Sequence, residues 1–514
     1  MSALEKRSVT SSLIFKFPDD DESQRPQLAL FRRSDKVRTY QNKYGLISGS
    51  IEPSDPTPLS CAWRELREET GLASPPLRLL RRGRPFSFRD ESVGREWTVH
   101  PFMFKLEAAR AGDITIDWEH SGYAWFDPAD AAGRGGDGEG DGDDGLEGVP
   151  RLAQSVRSVW FEMELGARAG GVLAAGLREL RGDYESGARE LAAKAMRIYA
   201  ATAAALAERE HGSGDEEQND EARRDAWWRG VRLAGWHLWK NGRESMGAAV
   251  ANLVLAVLAV LEGEFRAAPS LAECARGAIA RVCGASELSG RRIRESFHAV
   301  LGQVPPAPPQ GPAEIRILTL SSSSMVRACL ADALADPLGG RPLDIRVLES
   351  RPLFEGVKAA RVLAALCKPP SRSTVTVYTD ASAAVAARGV HLVLLGADAI
   401  DGSANVSNKT GSLPAVLAAR HVAPGGRVVV VSEMAKVLPF DAPDEERSNV
   451  EEMASSWQEP DGERGFAVES ILFEWVDAAL VDHFATERGV LTAAEISQRA
   501  DEIKQGADRF FVDI

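Results

Sequence analysis

Along the first 130 residues, short apolar runs alternate with polar stretches in a strand-like rhythm. SSLIFKF (11–17), QLALFRR (27–33) and VHPFMFKLE (99–107) read as strands, and YAWFDPAD (123–130) as a last strand and its turn. One strong helix lies among them and ends in RELREETGL (64–72). From 151 to 303 the pattern becomes helical, with apolar residues at helical spacing through Gly187–Leu206 and Trp227–Leu261. From 314 to 514, the strand-like runs IRILTL, DIRVLE, TVTVYT, VHLVLLG and RVVVVSE are interspersed with helical MVRACLADALA and LPAVLAARHV. That rhythm implies parallel strands joined by helical crossovers, which is a doubly wound, mostly parallel sheet.

Three breaks divide the pattern. Residues 131–149, AAGRGGDGEGDGDDGLEGV, hold too little apolar surface to offset ordering entropy and are expected to form a flexible acidic linker. The polar run Glu208–Glu221 is expected as a loop within the helical block, and Val304–Pro312, VPPAPPQGP, as a stiff Pro-rich break. The blocks are therefore 8–130, 151–303 and 314–514. The longest apolar run, Met246–Leu261, is interrupted by Asn252 and is short for a membrane span, so it is expected to be a buried core helix.

Composition narrows the function class. Apolar content of 44% and charged content of 26% are those of a globular protein without membrane insertion. A formal charge of -14 argues against a general nucleic-acid binder, although a local basic pocket would still take phosphate. The five cysteines (Cys61, Cys274, Cys283, Cys329 and Cys367) show no CxxC spacing, so neither a disulfide framework nor a zinc site is expected. The N-terminal MSALEKRSVTSSLIF lacks the apolar stretch of a secretory signal, and a cytoplasmic location is the expectation.

The first candidate site is a helix rich in carboxylates. Glu65, Glu68 and Glu69 stand at i, i+3 and i+4, which places them on one face. Three like charges repel unless a cation neutralises them, and oxygen ligands at this density suit Mg²⁺ or Mn²⁺. Such a cluster fits phosphoanhydride cleavage, with a glutamate as general base. The alternative is a solvated, salt-bridged helix face. Gly49–Leu72 as a whole resembles the Nudix box: Gly49, Arg64, Glu65, Leu66, Glu68, Glu69, Gly71 and Leu72 match. The first box glutamate falls on Asp55, and eight residues rather than seven separate it from Arg64. The resemblance implies an α/β/α sandwich over about 8–130, with Glu65, Glu68 and Glu69 as metal ligands and catalytic groups, and Glu52 as an outer carboxylate. Gly49, Arg64 and Gly71 would support the box, Gly71 as a left-handed helix cap.

The second candidate site lies at the carboxyl ends of strands, where doubly wound sheets bind ligands. LTLSSSS brings Ser321, Ser323 and Ser324 to a helix N-terminus, where amides and hydroxyls can cradle phosphate. ESRP offers Arg351, which could pair with phosphate or with Glu355; GADAIDGSANVSNKTG offers Asp398, Asn408 and Lys409; SEMAK offers Lys436. Each phrase alone reads equally as a polar turn. Together they resemble the family of initiation factor 2B alpha, beta and delta subunits, methylthioribose-1-phosphate isomerase and ribose-1,5-bisphosphate isomerase. FEWVDAALVDHFATERGVL (473–491), SGARELAAKA (186–195) and GRESMGAAVANLV (242–254), which contains Arg243, extend the resemblance over roughly 151–514. It implies a helical subdomain followed by a Rossmann-like domain. The cysteine of the isomerases aligns with Ser321, and the arginine opening the RGA phrase with Ser186. A serine hydroxyl is a far weaker acid than a thiol.

The expected function is a Mg²⁺- or Mn²⁺-dependent Nudix pyrophosphohydrolase acting on a nucleotide or sugar diphosphate, whose second half binds a phosphorylated sugar or nucleotide. Two alternatives stay open. One is an assembly and regulatory protein of the initiation factor 2B type, with translation initiation factors as partners. The other is a bifunctional protein with aldose–ketose isomerase activity through Asp398. The resemblance also implies a homodimer through the C-terminal domain.

Overall fold

In SSLIFKF, Leu13, Phe15 and Phe17 face one hydrophobic core while Ile14 between them faces another. QLALFRR repeats the division, with Leu28 and Leu30 on one side and Ala29 and Phe31 on the other. Strands buried on both faces lose the apolar–polar alternation and read as continuous apolar runs. In this computed structural model the described residues are 4–133, 147–183, 186–208, 216–243, 247–287, 289–306, 314–367, 372–439, 453–454, 457, 466–512 and 514. The chain divides into two units, Met1–Arg178 and Glu179–Ile514.

The first unit is built on a mixed sheet of β1 (Glu5–Lys16), β2 (Gln27–Arg33), β3 (Tyr44–Gly45), β4 (Leu77–Arg82), β5 (Phe86–Asp90), β6 (Arg95–Leu106) and β7 (His120–Phe126). β1 and β6 run parallel and the other pairings are antiparallel. Helix α1 (Pro58–Thr70) covers one face through Ala62 and Leu66. Helices α2 (Pro128–Gly133) and α3 (Leu152–Val159) cover the other. The expected α/β/α sandwich is therefore present. Each fully buried Leu or Phe side chain contributes about 1.5–3 kcal/mol to holding these layers together.

The sandwich extends beyond residue 130. Leu152, Val156 and Val159 form an apolar stripe on α3 that packs with Phe15, Leu28 and Leu30. A salt bridge between buried Arg81 and Glu162, at 2.6 Å, ties the start of α4 (Glu162–Gly182) to β4. The stretch from 151 thus opens in the first unit. Of the acidic segment 131–149, residues 134–146 lie outside the described residues.

The second unit starts with helices α5 (Ala188–Ala207), α6 (Glu216–Asn241), α7 (Gly247–Glu264), α8 (Leu271–Glu287) and α9 (Ser289–Leu301). Helix α6 begins inside the run 208–221 expected as loop; Asp220 pairs with Arg223 and Arg224 at i+3 and i+4, which supports helix there. Residues 209–215 of that run, and 307–313 around the Pro-rich break, are outside the described residues. Helix α7 is long and apolar enough to cross a membrane, and most of its residues are buried in the protein, Asn252 among them.

A second sheet follows, with β8 (Ile315–Leu320), β9 (Leu343–Leu348), β10 (Thr374–Tyr378), β11 (Leu392–Leu395), β14 (Arg427–Val431), β16 (His483–Thr486) and β17 (Gly489–Leu491). Its order is β10-β9-β8-β11-β14-β16-β17, parallel except for the last pair. Helices α10 (Ser324–Ala335), α11 (Glu355–Ala364), α12 (Ala383–Ala386) and α13 (Ser412–Val422) lie between strands in the chain, and α14 (Ala493–Phe511) ends it. The order reverses between β8 and β11, the Rossmann-like switch point where ligands bind. A small antiparallel sheet of β12 (Ala399–Ile400), β13 (Val406–Lys409) and β15 (Phe473–Val476) stands beside it.

Candidate functional site

The carboxylate helix is capped at both ends by its own residues. The Thr57 hydroxyl accepts from the Ser60 amide, Pro58 occupies the first turn, and Gly71 closes the helix at φ 69°. Thr115 leaves little room for any side chain at Gly71. Glycine is needed there for the left-handed turn and for the close approach. Gly49 serves differently: a Cβ at 49 would stand 1.9 Å from the Glu65 carboxyl carbon. Asp55, despite its shorter side chain and the extra spacer residue, receives Arg64 through Nε at 3.2 Å and Nη2 at 2.9 Å. The Arg64 hydrogen bonds hold the Asp55 carboxyl down at about 2. Arg64 also donates to Glu65 at 2.6 Å and reaches Glu68 at 3.3 Å.

Of the three glutamates, Glu65 and Glu69 meet. They share a hydrogen bond, Glu69 donating to Glu65, which requires a proton on Glu69. Burial, then repulsion from Glu65 and Glu119, pushes the Glu69 carboxyl far above the usual carboxylate range. Burial raises Glu65 as well, against the pull of Arg64. Glu68 is exposed and leans on Arg64. Glu52 is also exposed; its carboxylate accepts from Ser54 at 3.4 Å. Among the described residues no group of three or more His, Cys, Asp or Glu side chains stands close enough to hold a metal ion as arranged. The donor set nevertheless fits a hard divalent cation: two buried carboxylates that repel each other are relieved by positive charge and offer only oxygen.

The motif did not reveal three neighbours of this pair. The amides of Thr115 and Asp117 donate to the carbonyls of Thr70 and Glu69, which straps DWEH (117–120) to the end of α1. His120 Nδ1 lies 3.6 Å from Glu69 and 3.5 Å from Asp117 without a formed hydrogen bond, and burial lowers its pKa. The Glu119 carboxyl is raised, first by burial and then by Asp117. The only sequence signal was the acidic–His run itself, whose meeting with a helix about 50 residues earlier depends on the sheet.

A cavity of about 240 Å³ opens beside the pair. Gly49, which backs Glu65, is one of its lining residues, with Arg33, Arg95, Tyr40, Phe88 and Trp97.

In the second unit the switch point gathers part of the expected set. Ser323 caps α10, and a Cβ at Gly396 would meet its Oγ at 3.0 Å and Asn408 Oδ1 at 3.7 Å. Asn408 is buried and donates to Ser412 at 2.9 Å. The half-buried Asp398 joins Ser407 through its amide, at 2.8 Å. Lys436 donates to the carbonyl of Ala397, so the ends of β8, β11 and β14 converge there. Ser321 takes a positive φ of 64° and donates its amide to Ser350 Oγ, itself at φ 61°. Such backbone outliers concentrate at functional sites. Ser324 opens α10 and is exposed.

The remaining cations lie on acidic or carbonyl partners. Lys409 pairs with Glu355 at 3.0 Å, Arg351 with Glu349 at 3.2 Å, and Arg243 donates to the Asp183 carbonyl at 2.9 Å. Of the two options for Arg351, phosphate or Glu355, the structure gives neither, because Glu355 is taken by Lys409. The Asp183 carboxylate accepts from the Ser186 amide and from Lys194. The phrases holding Arg243 and Ser186 therefore meet at Asp183.

Comparison with known proteins matches these two regions. The model of the NUDIX domain matches residues 12–142, and that of the Initiation factor 2 subunit family matches 270–493, a shorter span than the 151–514 expected. No curated protein matches the chain. Similar solved structures include translation initiation factor 2B of Pyrococcus horikoshii OT3, at 20% identity over 62% of this chain and 96% of that one, with a TM-score of 0.42. The beta subunit of Chaetomium thermophilum initiation factor 2B is 15% identical over 66% and 93%, with a TM-score of 0.45. The 5-methylthioribose 1-phosphate isomerase of Pyrococcus horikoshii OT3 is 16% identical over 65% and 87%, with a TM-score of 0.42. The chain thus carries a NUDIX domain at residues 12–142 and an Initiation factor 2 subunit family domain at residues 270–493.

Proposed function

We propose that the first unit is a divalent-cation-dependent Nudix pyrophosphohydrolase that cleaves a nucleotide or sugar diphosphate. The observation that carries this reading is the buried Glu65–Glu69 pair, whose mutual repulsion leaves a place for positive charge. Glu65 and Glu69 would hold Mg²⁺ or Mn²⁺, and exposed Glu68 is close enough in sequence to join after a side-chain rotation. When bound, the ion neutralises the diphosphate and makes water a better nucleophile. Arg64 keeps Glu65 oriented, and Gly49 lets that carboxylate sit against the loop. Glu119, with its raised pKa beside the pair, is suited to take the proton of the attacking water. The test is release of phosphate or a nucleoside monophosphate from a panel of diphosphates with Mg²⁺ or Mn²⁺. Glu65→Gln and Glu69→Gln should each abolish it; unchanged turnover in both would refute the assignment.

The second unit is proposed to bind a phosphorylated sugar or nucleotide at the switch point, through Ser323, Asp398, Asn408 and Lys436, as sensor or product site. The convergence of these residues supports binding. Isomerase chemistry is disfavoured, because Ser321 offers a hydroxyl where the related isomerases have a thiol. An assembly role beside translation initiation factors rests on the family match alone, as does homodimer formation. Calorimetry with ribose 1,5-bisphosphate and nucleoside monophosphates tests the binding: Lys436→Ala should weaken it, and heatless titrations of the wild type would exclude it.

A further inference from the structure

The cavity beside Glu65 is completed by chain that lies beyond the matched NUDIX residues. Tyr44 donates its amide to the Glu147 carbonyl at 2.7 Å, and Val149 donates back to the Tyr44 carbonyl at 2.8 Å. Residues 147–149 thereby run as an added strand along β3. Gly45 admits them: a Cβ there would stand 3.2 Å from Val149 Cγ1. The segment is anchored downstream by Leu152, Val156 and Val159 of α3, all buried in the core. Arg151 is placed between these two anchors, in the left-handed conformation at φ 62°, and lines the cavity with Val149, Pro150 and Leu152.

The lining has a one-sided charge. It includes Arg33, Arg95 and Arg151 and, among the described residues, no aspartate or glutamate, in a chain whose formal charge is -14. Two of the guanidinium groups lie over rings, Arg95 at 5.1 Å from the Trp97 centroid and Arg151 at 5.8 Å from that of Phe88. Stacking uses the face of a guanidinium and leaves the N–H groups in its plane directed outward, the geometry that grips phosphate. A cleaved diphosphate carries its own charge to the cation at Glu65 and Glu69. Three further guanidinium groups, set with Tyr40, Phe88 and Trp97, call for an additional anion on an aromatic group.

We propose that Arg151 is a specificity-determining residue for a second anionic group, a phosphate on the nucleoside half of the diphosphate substrate. This rests on the hydrolase reading for the cleavage but not for the binding. The segment Glu147–Leu152 thus brings into the site a residue that the matched NUDIX region, ending at 142, does not contain. The preferred substrates are dinucleotides or nucleotide conjugates bearing a ribose phosphate, over the same compounds without it.

The test uses the full-length protein and two substrate pairs that differ by one ribose phosphate: NADPH against NADH, and coenzyme A against its dephospho form. The phosphorylated member of at least one pair should be favoured in kcat/KM by about tenfold or more, as expected for a charge-assisted bidentate contact. Arg151→Gln should remove that preference while changing turnover of the unphosphorylated partner by less than about threefold, with Arg151→Lys intermediate. Equal turnover within both pairs, or equal loss on both members in Arg151→Gln, would overturn the proposal. Metal-free binding separates the two readings. Adenosine 2′,5′- or 3′,5′-bisphosphate should bind more tightly than AMP in the wild type but not in Arg151→Gln. If that holds while no diphosphate is cleaved, the hydrolase reading fails and the anion site stands. If AMP binds as tightly as both bisphosphates, the anion site fails whatever the turnover. Thermal melts of both variants confirm that they fold.

Discussion

Gly49 gives its place to the carboxylate of Glu65: the carboxyl group packs so closely on the glycine that a Cβ there would overlap it at 1.9 Å. The loop and the helix are therefore fitted to each other at this one point. Gly49→Ala must push the carboxylate or the loop aside. Overpacking of this kind costs about 1–3 kcal/mol. Displacement of a reacting group by about 1 Å lowers turnover roughly a hundredfold. Metal-dependent hydrolysis and the melting temperature, measured on the same sample, should both fall, activity by far the more.

Asp55 links the same loop to Arg64. Its carboxyl is held at about 2 in the folded protein, against an ordinary 3.8, mainly by the Arg64 hydrogen bonds. A lowered folded pKa adds stability that is present above the unfolded value and is lost as pH falls through the folded one. The window is thus between about pH 4 and pH 2. Asp55→Asn should loosen α1 at neutral pH and flatten the acid response of that helix. Hydrogen exchange of the α1 amides from pH 5 to pH 2, corrected for intrinsic rates, reads this directly. An unchanged pH profile would show that Arg64 does not depend on Asp55.

Much of this arrangement was legible in the chain, for identifiable reasons. The spacing of Glu65 and Glu69 is a helical property, so their meeting could be read locally. The shortened Asp55 left the loop in question, and only the folded loop shows that it still reaches Arg64. Glu68 has the right spacing but is drawn to Arg64 and solvent, because rotamer choice is not written in spacing. Asp117, Glu119 and His120 reach α1 through hydrogen bonds from Thr115 and Asp117, and no local pattern encodes that long-range pairing. In the second unit, strand ends predicted Ser323, Asp398 and Lys436. Asn408 and Lys409, read as a loop phrase, instead lie in β13, paired with β15 from more than 60 residues later.

Glu69 connects stability to the cation. Its folded pKa is raised, so its contribution to stability is full below about pH 4.5 and is lost as pH rises toward the folded value. In the absence of divalent cations the wild type should therefore weaken between pH 5 and 9, while Glu69→Gln, which stays neutral, should not. The gain at pH 8 is expected to be about 1–3 kcal/mol, the typical cost of burying an uncompensated polar group. Adding Mg²⁺ or Mn²⁺ should raise the melting temperature of the wild type and leave that of Glu69→Gln nearly unchanged, since only the native site binds the ion. A melting curve indifferent to cation in both proteins would contradict the metal assignment.

Asn252 explains why a polar residue interrupts the most apolar helix of the chain. Its Nδ2 lies 2.8 Å from the Ala435 carbonyl, 2.7 Å from that of Val437 and 3.1 Å from that of Ala248 one turn back. The amide has two hydrogens, so the two contacts across to residues 435 and 437 are the ones it chiefly satisfies. Those carbonyls flank Lys436, whose ammonium reaches the carbonyl next to Asp398. Replacing Asn252 by Asp keeps the shape and removes the donors, turning an attraction into repulsion between a carboxylate and two carbonyl oxygens. Leaving buried acceptors unsatisfied costs about 1–3 kcal/mol each. Asn252→Asp should therefore destabilise the second unit and weaken sugar-phosphate binding by at least about tenfold, a loss of roughly 1.4 kcal/mol. Hydrolysis by the first unit should remain at the wild-type rate. If binding survives while stability falls, Lys436 is held by other contacts, and Asn252 serves the fold alone.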